Sequence, residues 1–161
     1  DWASENVCEV LSRQKIANGF ALLIVGSSAR HLQKRWCGFP ALIEELATRN
    51  IQSVIAPGPD EIGIVQGLGA TVLMDGDKFL TLNQLVGLAN HCSFVVGNDT
   101  GPTHMMAAAN TKGVALFGSN HSPAVNTGIA DFYEVIEKPV LNDISLAEVM
   151  TAIEGIQLNS V

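Results

Sequence analysis

Asp99, Thr100, Gly101, Pro102 and His104 set an acid, a hydroxyl, a turn residue and an imidazole between the apolar run "FVVG" and the small-residue segment "MMAAA". Pro102 suits the first turn of a helix, because its fixed φ is already helical and its missing N–H would have had no partner there. Gly101 or Thr100 is then the expected cap. The N–H groups of such a first turn, together with the positive end of the helix dipole, form a seat for phosphate. The alternative is a self-capped helix in which Asp99 or Thr100 satisfies those same groups. A carboxylate repels phosphate, so beside a bound nucleotide Asp99 is expected to accept from sugar hydroxyls. His104 either donates to a phosphate oxygen or is simply solvated.

Two further stretches carry similar chemistry. Ser27 and Ser28 follow an apolar run, and behind them come Arg30, His31, Lys34 and Arg35, a local reversal of sign in an acidic chain. Hydroxyls and cations of this kind suit phosphate, but the same composition describes a solvated loop. Trp36 either plugs that loop to the core or stacks on a base. "GPDE" (58–61) pairs a tight turn with two acids, one of which can hold a ribose diol. Both acids would equally serve the start of a helix. The chain has no G-x-G-x-x-G after its first apolar run, no Walker loop and no G-x-S-x-G elbow. His31, His91, His104 and His121 show no metal-ligand spacing. No metal and no cofactor is therefore expected.

Alternating elements must hold these loops in place. A helix is expected from the capping-type Ser4 to Gly19, then a strand over 20–25, a helix over 40–50, a strand over 53–56, a short helix and a strand over 71–74. A helix over 81–91, a strand over 93–97, a helix to about Ala109, a strand over 114–118, "YEVIE" (133–137) and a helix from Ser145 to about Gly155 complete the series. Short apolar strands between amphipathic helices predict an α/β fold, a parallel sheet with helices on both faces. Ala107, Ala108 and Ala109 are expected to let one helix lie close to the sheet. Ligands of such sheets bind beyond the carboxyl ends of the strands, here loops 26–38, 57–61, 75–80, 98–103 and 118–131.

The composition narrows the function classes. The 161 residues suit one domain, and 47% hydrophobic with 16% charged residues suits a folded core rather than a disordered chain. Nine basic against sixteen acidic residues leave a net charge of −7, which repels a nucleic-acid backbone. No apolar run approaches the roughly 20 residues of a membrane span, so a cytoplasmic protein is expected. Cys8, Cys37 and Cys92 are too widely spaced for a zinc site or a disulfide framework, and are expected to be buried free thiols. A chain opening on Asp1 is expected to be a piece of something longer.

"FVVGNDTGPTHMMAAANTKGVALFG" closely resembles the D-T-G-x-x-H signature of the lipopolysaccharide heptosyltransferases, glycosyltransferase family 9. "LLIVGSSARHLQKRW" resembles that family's paired hydroxyls followed by Lys-x-Trp, and "GPDE" its acidic turn, so the likeness spans roughly residues 20–155. It implies a Rossmann-like domain, one half of a GT-B fold. The chain, 1–161, would be the C-terminal nucleotide-sugar-binding half, with a leading helix over 1–19 and a core over 20–155. The N-terminal acceptor domain and its general-base aspartate would lie outside it.

By the same resemblance Ser27 and Ser28 hold the diphosphate, and Lys34 neutralises charge on the departing nucleotide. Glu61 binds the adenosine ribose, and Phe79 or Leu80 lies against the adenine. Asp99, Thr100, Gly101 and His104 grip the diphosphate and the sugar. The implied partners are ADP-heptose, the chain's own acceptor domain and the lipopolysaccharide core, reached at the inner-membrane face. Thr111 and Lys112 stand where the family often has proline, "GSNHSP" replaces its T-D-P, and loop 26–38 is longer than in some members, leaving Arg30 and His31 without an implied role. A nucleotide-binding module without catalysis, and a transferase or epimerase using another nucleotide sugar, are the competing expectations.

Overall fold

The computed structural model describes residues 2–27, 32–118 and 133–158. Six strands, β1 (Phe20–Ile24), β2 (Ser53–Ile55), β3 (Thr71–Val72), β4 (Cys92–Asn98), β5 (Gly113–Phe117) and β6 (Tyr133–Glu137), form one sheet ordered β3-β2-β1-β4-β5-β6. Every pair is parallel. This is the strand order of a Rossmann-like sheet. After β3 the chain returns across the sheet to pair β4 with β1, opening a crevice beyond their carboxyl ends.

Alternation along β1 divides the core. Ala21 and Leu23 belong to one apolar cluster with Phe39, Leu42 and Leu46 of α2 (Phe39–Thr48) and Val149, Met150 and Ile153 of α6 (Leu146–Leu158). Phe20, Leu22 and Ile24 join Val7, Val10 and Leu11 of α1 (Trp2–Arg13), Leu85 of α4 (Leu82–Gly87) and Met106 of α5 (Gly101–Ala108) in the other. The short α3 (Ile62–Val65) contributes Val65 to the first cluster. All five β1 residues are buried, as a strand covered on both faces requires.

The local signals set the boundaries with some corrections. Helix α1 begins at Trp2, so Ser4 lies inside it, and it ends at Arg13 rather than running to Gly19. The stop is a Schellman motif: Lys15 adopts φ 55, its N–H reaches Ser12 O at 3.0 Å, and Ile16 N–H reaches Leu11 O at 2.9 Å. Asn50 (φ 58) and Asn110 (φ 59) end α2 and α5 in the same way. Helix α4 opens with a capping box in which Thr81 and Gln84 exchange bonds, and Ser145 and Glu148 do the same for α6. The Lys138 ammonium, 2.7 Å from Glu148, helps hold that carboxyl down to about 2.

Two expectations about small residues fail. Cys8 and Cys37 are exposed and Cys92 is only part-buried, because Cys8 falls on the outer side of an amphipathic helix whose inner stripe is Val7, Val10 and Leu11. Ala107 is buried, but Ala108 is exposed. The close approach of α5 to the sheet instead occurs at Gly97, where a Cβ would strike Thr103 Oγ1. Among the described residues no helix is long and apolar enough to cross a membrane.

Burial pushes the Cys92 thiol up to about 11 and the Tyr133 phenol upward as well. A raised folded-state value means stability that is complete below the ordinary pKa and lost as pH rises through the folded one. Denaturant midpoints are therefore expected to hold to about pH 9 and to fall through about pH 11. Asn110→Val, which forces a branched side chain to positive φ, is expected to cost about 1–2 kcal/mol in the same measurement. Asn110→Gly is expected to stay within about 0.5 kcal/mol of the parent, since glycine adopts that φ freely.

Candidate active site

Beyond the carboxyl end of β4, Asp99 turns its side chain inward, where only 5% of it is exposed. A buried carboxylate is costly unless paired, and Asp99 has two side-chain partners from different segments, an ammonium and an imidazole. Lys34 Nζ donates to Oδ2 at 2.9 Å, and the His104 ring places Nε2 3.0 Å from Oδ1. Lys34 ends a 3-10 turn (Leu32–Lys34) in the loop after β1, and His104 lies on the first turn of α5. The D-T-G-x-x-H spacing thus folds so that the acid and the histidine meet across the helix start, with the lysine reaching in from the neighbouring strand.

Helix α5 is capped at Thr100, whose backbone is extended (φ −142°, ψ 161°) and whose side chain makes no capping hydrogen bond. The Thr100 side chain is therefore not the cap of this first turn. Thr100 Oγ1 instead lies 3.4 Å from Thr103 Oγ1, which donates to Asn98 O at 2.6 Å. Gly101 is exposed, with open space where a Cβ would stand.

Ser27 is buried. Its hydroxyl accepts from Arg35 Nε at 3.2 Å and its carbonyl from Arg35 Nη2 at 2.9 Å. Trp36 is the plug rather than a stacking platform: it is 4% exposed, donates Nε1–H to Ile144 O at 2.9 Å and packs edge-on against Phe39. Ser28, Arg30, His31 and residues 119–132 lie outside the described residues.

A cleft of about 120 Å³ lies beside this cluster, lined by Pro57, Gly58, Glu61, Leu80, Leu82 and Pro102 among others. Glu61 Oε2 accepts from Gly58 N–H at 3.0 Å, and the rest of the side chain rests where a Cβ on Gly26 would stand. Leu80 lines the cleft, while Phe79 is half-buried outside it. Loop 75–80 is held by Asp75, which accepts from Arg13 and from Gln84, both at 3.1 Å. Pro102 joins the two parts, lining the cleft from the same helical turn that carries His104.

Asn98 is the residue that motif reasoning passes over. It is fully buried, Oδ1 accepts from Trp36 N–H at 3.2 Å, and Nδ2 donates to Val25 O at 3.0 Å. Its one sequence signal is a polar amide ending an otherwise apolar strand. Thr111, at a departure from the resembled family, donates to Met106 O at 2.7 Å and lies 3.0 Å from Tyr133 OH, closing the far end of α5. Among the described residues no three of His, Cys, Asp and Glu gather closely enough to hold a metal ion.

The family model of glycosyltransferase family 9 (heptosyltransferase) matches residues 8–145, most of the chain. The protein belongs to that family. Lipopolysaccharide heptosyltransferase 3 of Escherichia coli is 30% identical over 105 residues, covering 60% of this chain and 31% of that protein. The E. coli ADP-heptose lipopolysaccharide heptosyltransferase II shares the fold over 96% of this chain at a TM-score of 0.81 and 20% identity. A family 9 glycosyltransferase from Veillonella parvula does so over 99% at 0.84 and 21% identity. This chain covers 52% of each of those two structures, so the family 9 protein described here spans about half their length.

Gly26→Ala is expected to drive the Glu61 carboxylate from its seat and expose Gly58 N–H. Because the end of a flexible side chain gives way rather than backbone, the stability cost is expected at about 1 kcal/mol or less. Faster amide exchange at Gly58 with a nearly unchanged denaturation midpoint would be the signature.

Proposed function

We propose that this chain is the donor-binding half of an inverting glycosyltransferase that moves heptose from ADP-heptose to the inner core of lipopolysaccharide. The observation that carries the reading is the junction at Pro102. On one side lies an apolar cleft with a single carboxylate, Glu61; on the other, the Lys34 ammonium and the His104 imidazole held on Asp99. An adenosine suits the first, with its base against Leu80 and its ribose diol donating to Glu61. A diphosphate suits the second, meeting Lys34, His104 and the N–H groups at the start of α5. The names of the E. coli relatives supply the heptose and the lipopolysaccharide acceptor.

In this reading an acceptor hydroxyl attacks the anomeric carbon, its proton passes to a general base on the acceptor-binding half, and the bond from that carbon to the ADP oxygen breaks. The developing charge on ADP is met by groups already oriented, the kind of electrostatic stabilisation that dominates such steps. Ser27 and Ser28 would flank the diphosphate. Because the Lys34 ammonium, a hydrogen-bonding imidazole at His104 and backbone N–H groups would meet that charge, the proposed transfer is independent of metal. The acceptor is lipid-linked, so the protein would work in the cytoplasm at the membrane surface.

Calorimetric titration of the intact protein with ADP, UDP and GDP tests this. Saturable binding that prefers ADP is expected. Lys34→Ala is expected to weaken it about tenfold or more, since a hydrogen bond to a charged group contributes roughly 1.5–3 kcal/mol. Equal affinity for the three nucleotides, or none, would remove the adenosine assignment. An undiminished affinity in the Lys34 variant would remove that residue from the diphosphate.

A further inference from the structure

We infer that Asn98 is the positioning residue that sets Lys34 against Asp99, and through it the charge presented to the diphosphate; the second clause rests on the function proposed above. Three segments carry the polar groups of the site, and one buried residue, by its side chain and its own carbonyl, joins them. The amide Nδ2 of Asn98 donates to Val25 O at 3.0 Å and approaches Gly26 O at 3.5 Å, fixing the strand exit that leads directly to Ser27. Its Oδ1 accepts from Trp36 N–H at 3.2 Å, two residues beyond Lys34. Its own carbonyl accepts from Thr103 at 2.6 Å, which locks the first turn of α5 to the end of β4.

The chemistry of the amide matters more than its bulk. Val25 and Gly26 offer carbonyls and Trp36 offers an N–H, so the site requires a donor and an acceptor on the same planar group. Asparagine supplies both. Aspartate has the same shape but only accepts when ionised, so one of its oxygens would face the carbonyls of Val25 and Gly26, and that repulsion would turn the side chain away from them and off the Trp36 N–H as well. Arg35, next to Lys34, is tied to Ser27 just beyond the strand exit that Asn98 itself fixes, while Trp36 Nε1–H to Ile144 O and Cys37 N–H to Asn142 Oδ1 lead away from the site toward the segment before α6. The last two hold the loop to the protein without fixing where Lys34 sits relative to Asp99. Lys34 itself retains 21% side-chain exposure and is held at the site by its 2.9 Å bond to Asp99. A small shift of its backbone would break that bond.

The test measures the position of Lys34 without any ligand. The intact protein and its Asn98→Asp variant are treated briefly with acetic anhydride, and acetylation of each lysine is quantified by mass spectrometry. Release of Lys34 from Asp99 is expected to raise its labelling at least fivefold, with Lys78 and Lys112 unchanged. Unchanged labelling of Lys34 would overturn the proposal. Asn98→Ser, which keeps a hydroxyl able to make one of the two bonds, is the variant to use if the aspartate form does not fold, with the same outcomes deciding.

A second arm uses ADP affinity in a double-mutant cycle with Lys34→Ala. If Asn98 acts through Lys34, Asn98→Asp weakens ADP binding in the parent but changes it by less than twofold once Lys34 is gone. Additive losses would assign Asn98 a general structural role and overturn the proposal. If the parent protein binds no ADP, the nucleotide reading falls on that result alone, and the labelling arm still decides whether Asn98 positions Lys34.

Discussion

Burying the carboxylate of Asp99 is the constraint around which the end of this sheet is organised. Left alone, an ionised group removed from water would cost several kcal/mol, and the fold answers with donors from two segments that are distant in sequence. Lys34 comes from the loop after β1 and His104 from the helix after β4. Each is thereby held near a helix start that the Thr100 side chain does not cap. The ion pair is thus less a source of stability than a device for placing an ammonium and an imidazole. Removing Asp99 and removing Lys34 are consequently not equivalent operations, since the first frees both of those groups and the second leaves a buried acid short of its charged partner.

The sheet makes this meeting possible. Because β1 and β4 are neighbours while β2 and β3 lie outward, the loops that follow β1 and β4 leave the sheet side by side. Glycines then set the spacing. Gly97 lets Thr103 approach β4, which brings the first turn of α5 down onto the strand end, and Gly26 leaves room for the Glu61 side chain beside the exit of β1. A Cβ at either position would push apart two groups that the site needs together. The same strand exits feed the apolar cleft and the charged cluster, and Pro102 belongs to both.

Much of this was legible in the sequence, for identifiable reasons. Continuous apolar runs such as "FALLI" and "VALF" can be satisfied only by burial on both faces, so the parallel sheet followed from them. D-T-G-x-x-H located the cluster, because a proline at the position of Pro102, directly after the polar residues Asp99 and Thr100 and the turn residue Gly101, signals the first turn of a helix. Helix ends were less legible. Lys15, Asn50 and Asn110 adopt positive φ where no glycine announces it, and a lysine in that conformation is dictated by the burial of Ile16 against the core rather than by its own preference. The thiol of Cys8 was misassigned because the side of a helix on which a residue falls depends on the phase of the apolar stripe, not on residue type. Asn98 was missed for a related reason: its role is defined by three partners, at Val25, Trp36 and Thr103, that sequence spacing does not connect.

The electrostatics of the whole chain sharpen the meaning of the cluster. With a net charge of −7, the protein as a whole repels anions at long range, so an anionic ligand must be won by local groups. Screening in physiological salt acts over about 8 Å, which makes the nearest few charges decisive. There, Lys34 cancels the charge of Asp99, and under the proposed function an approaching phosphate would meet a neutral pair flanked by His104 and the N–H groups at the start of α5. Such a site attracts weakly until contact and strongly at contact, where the ammonium can share its remaining protons between carboxylate and phosphate. Selectivity in this arrangement comes from the geometry of donors rather than from a broad positive field, which is why a buried amide that fixes the donors can matter as much as the charges themselves.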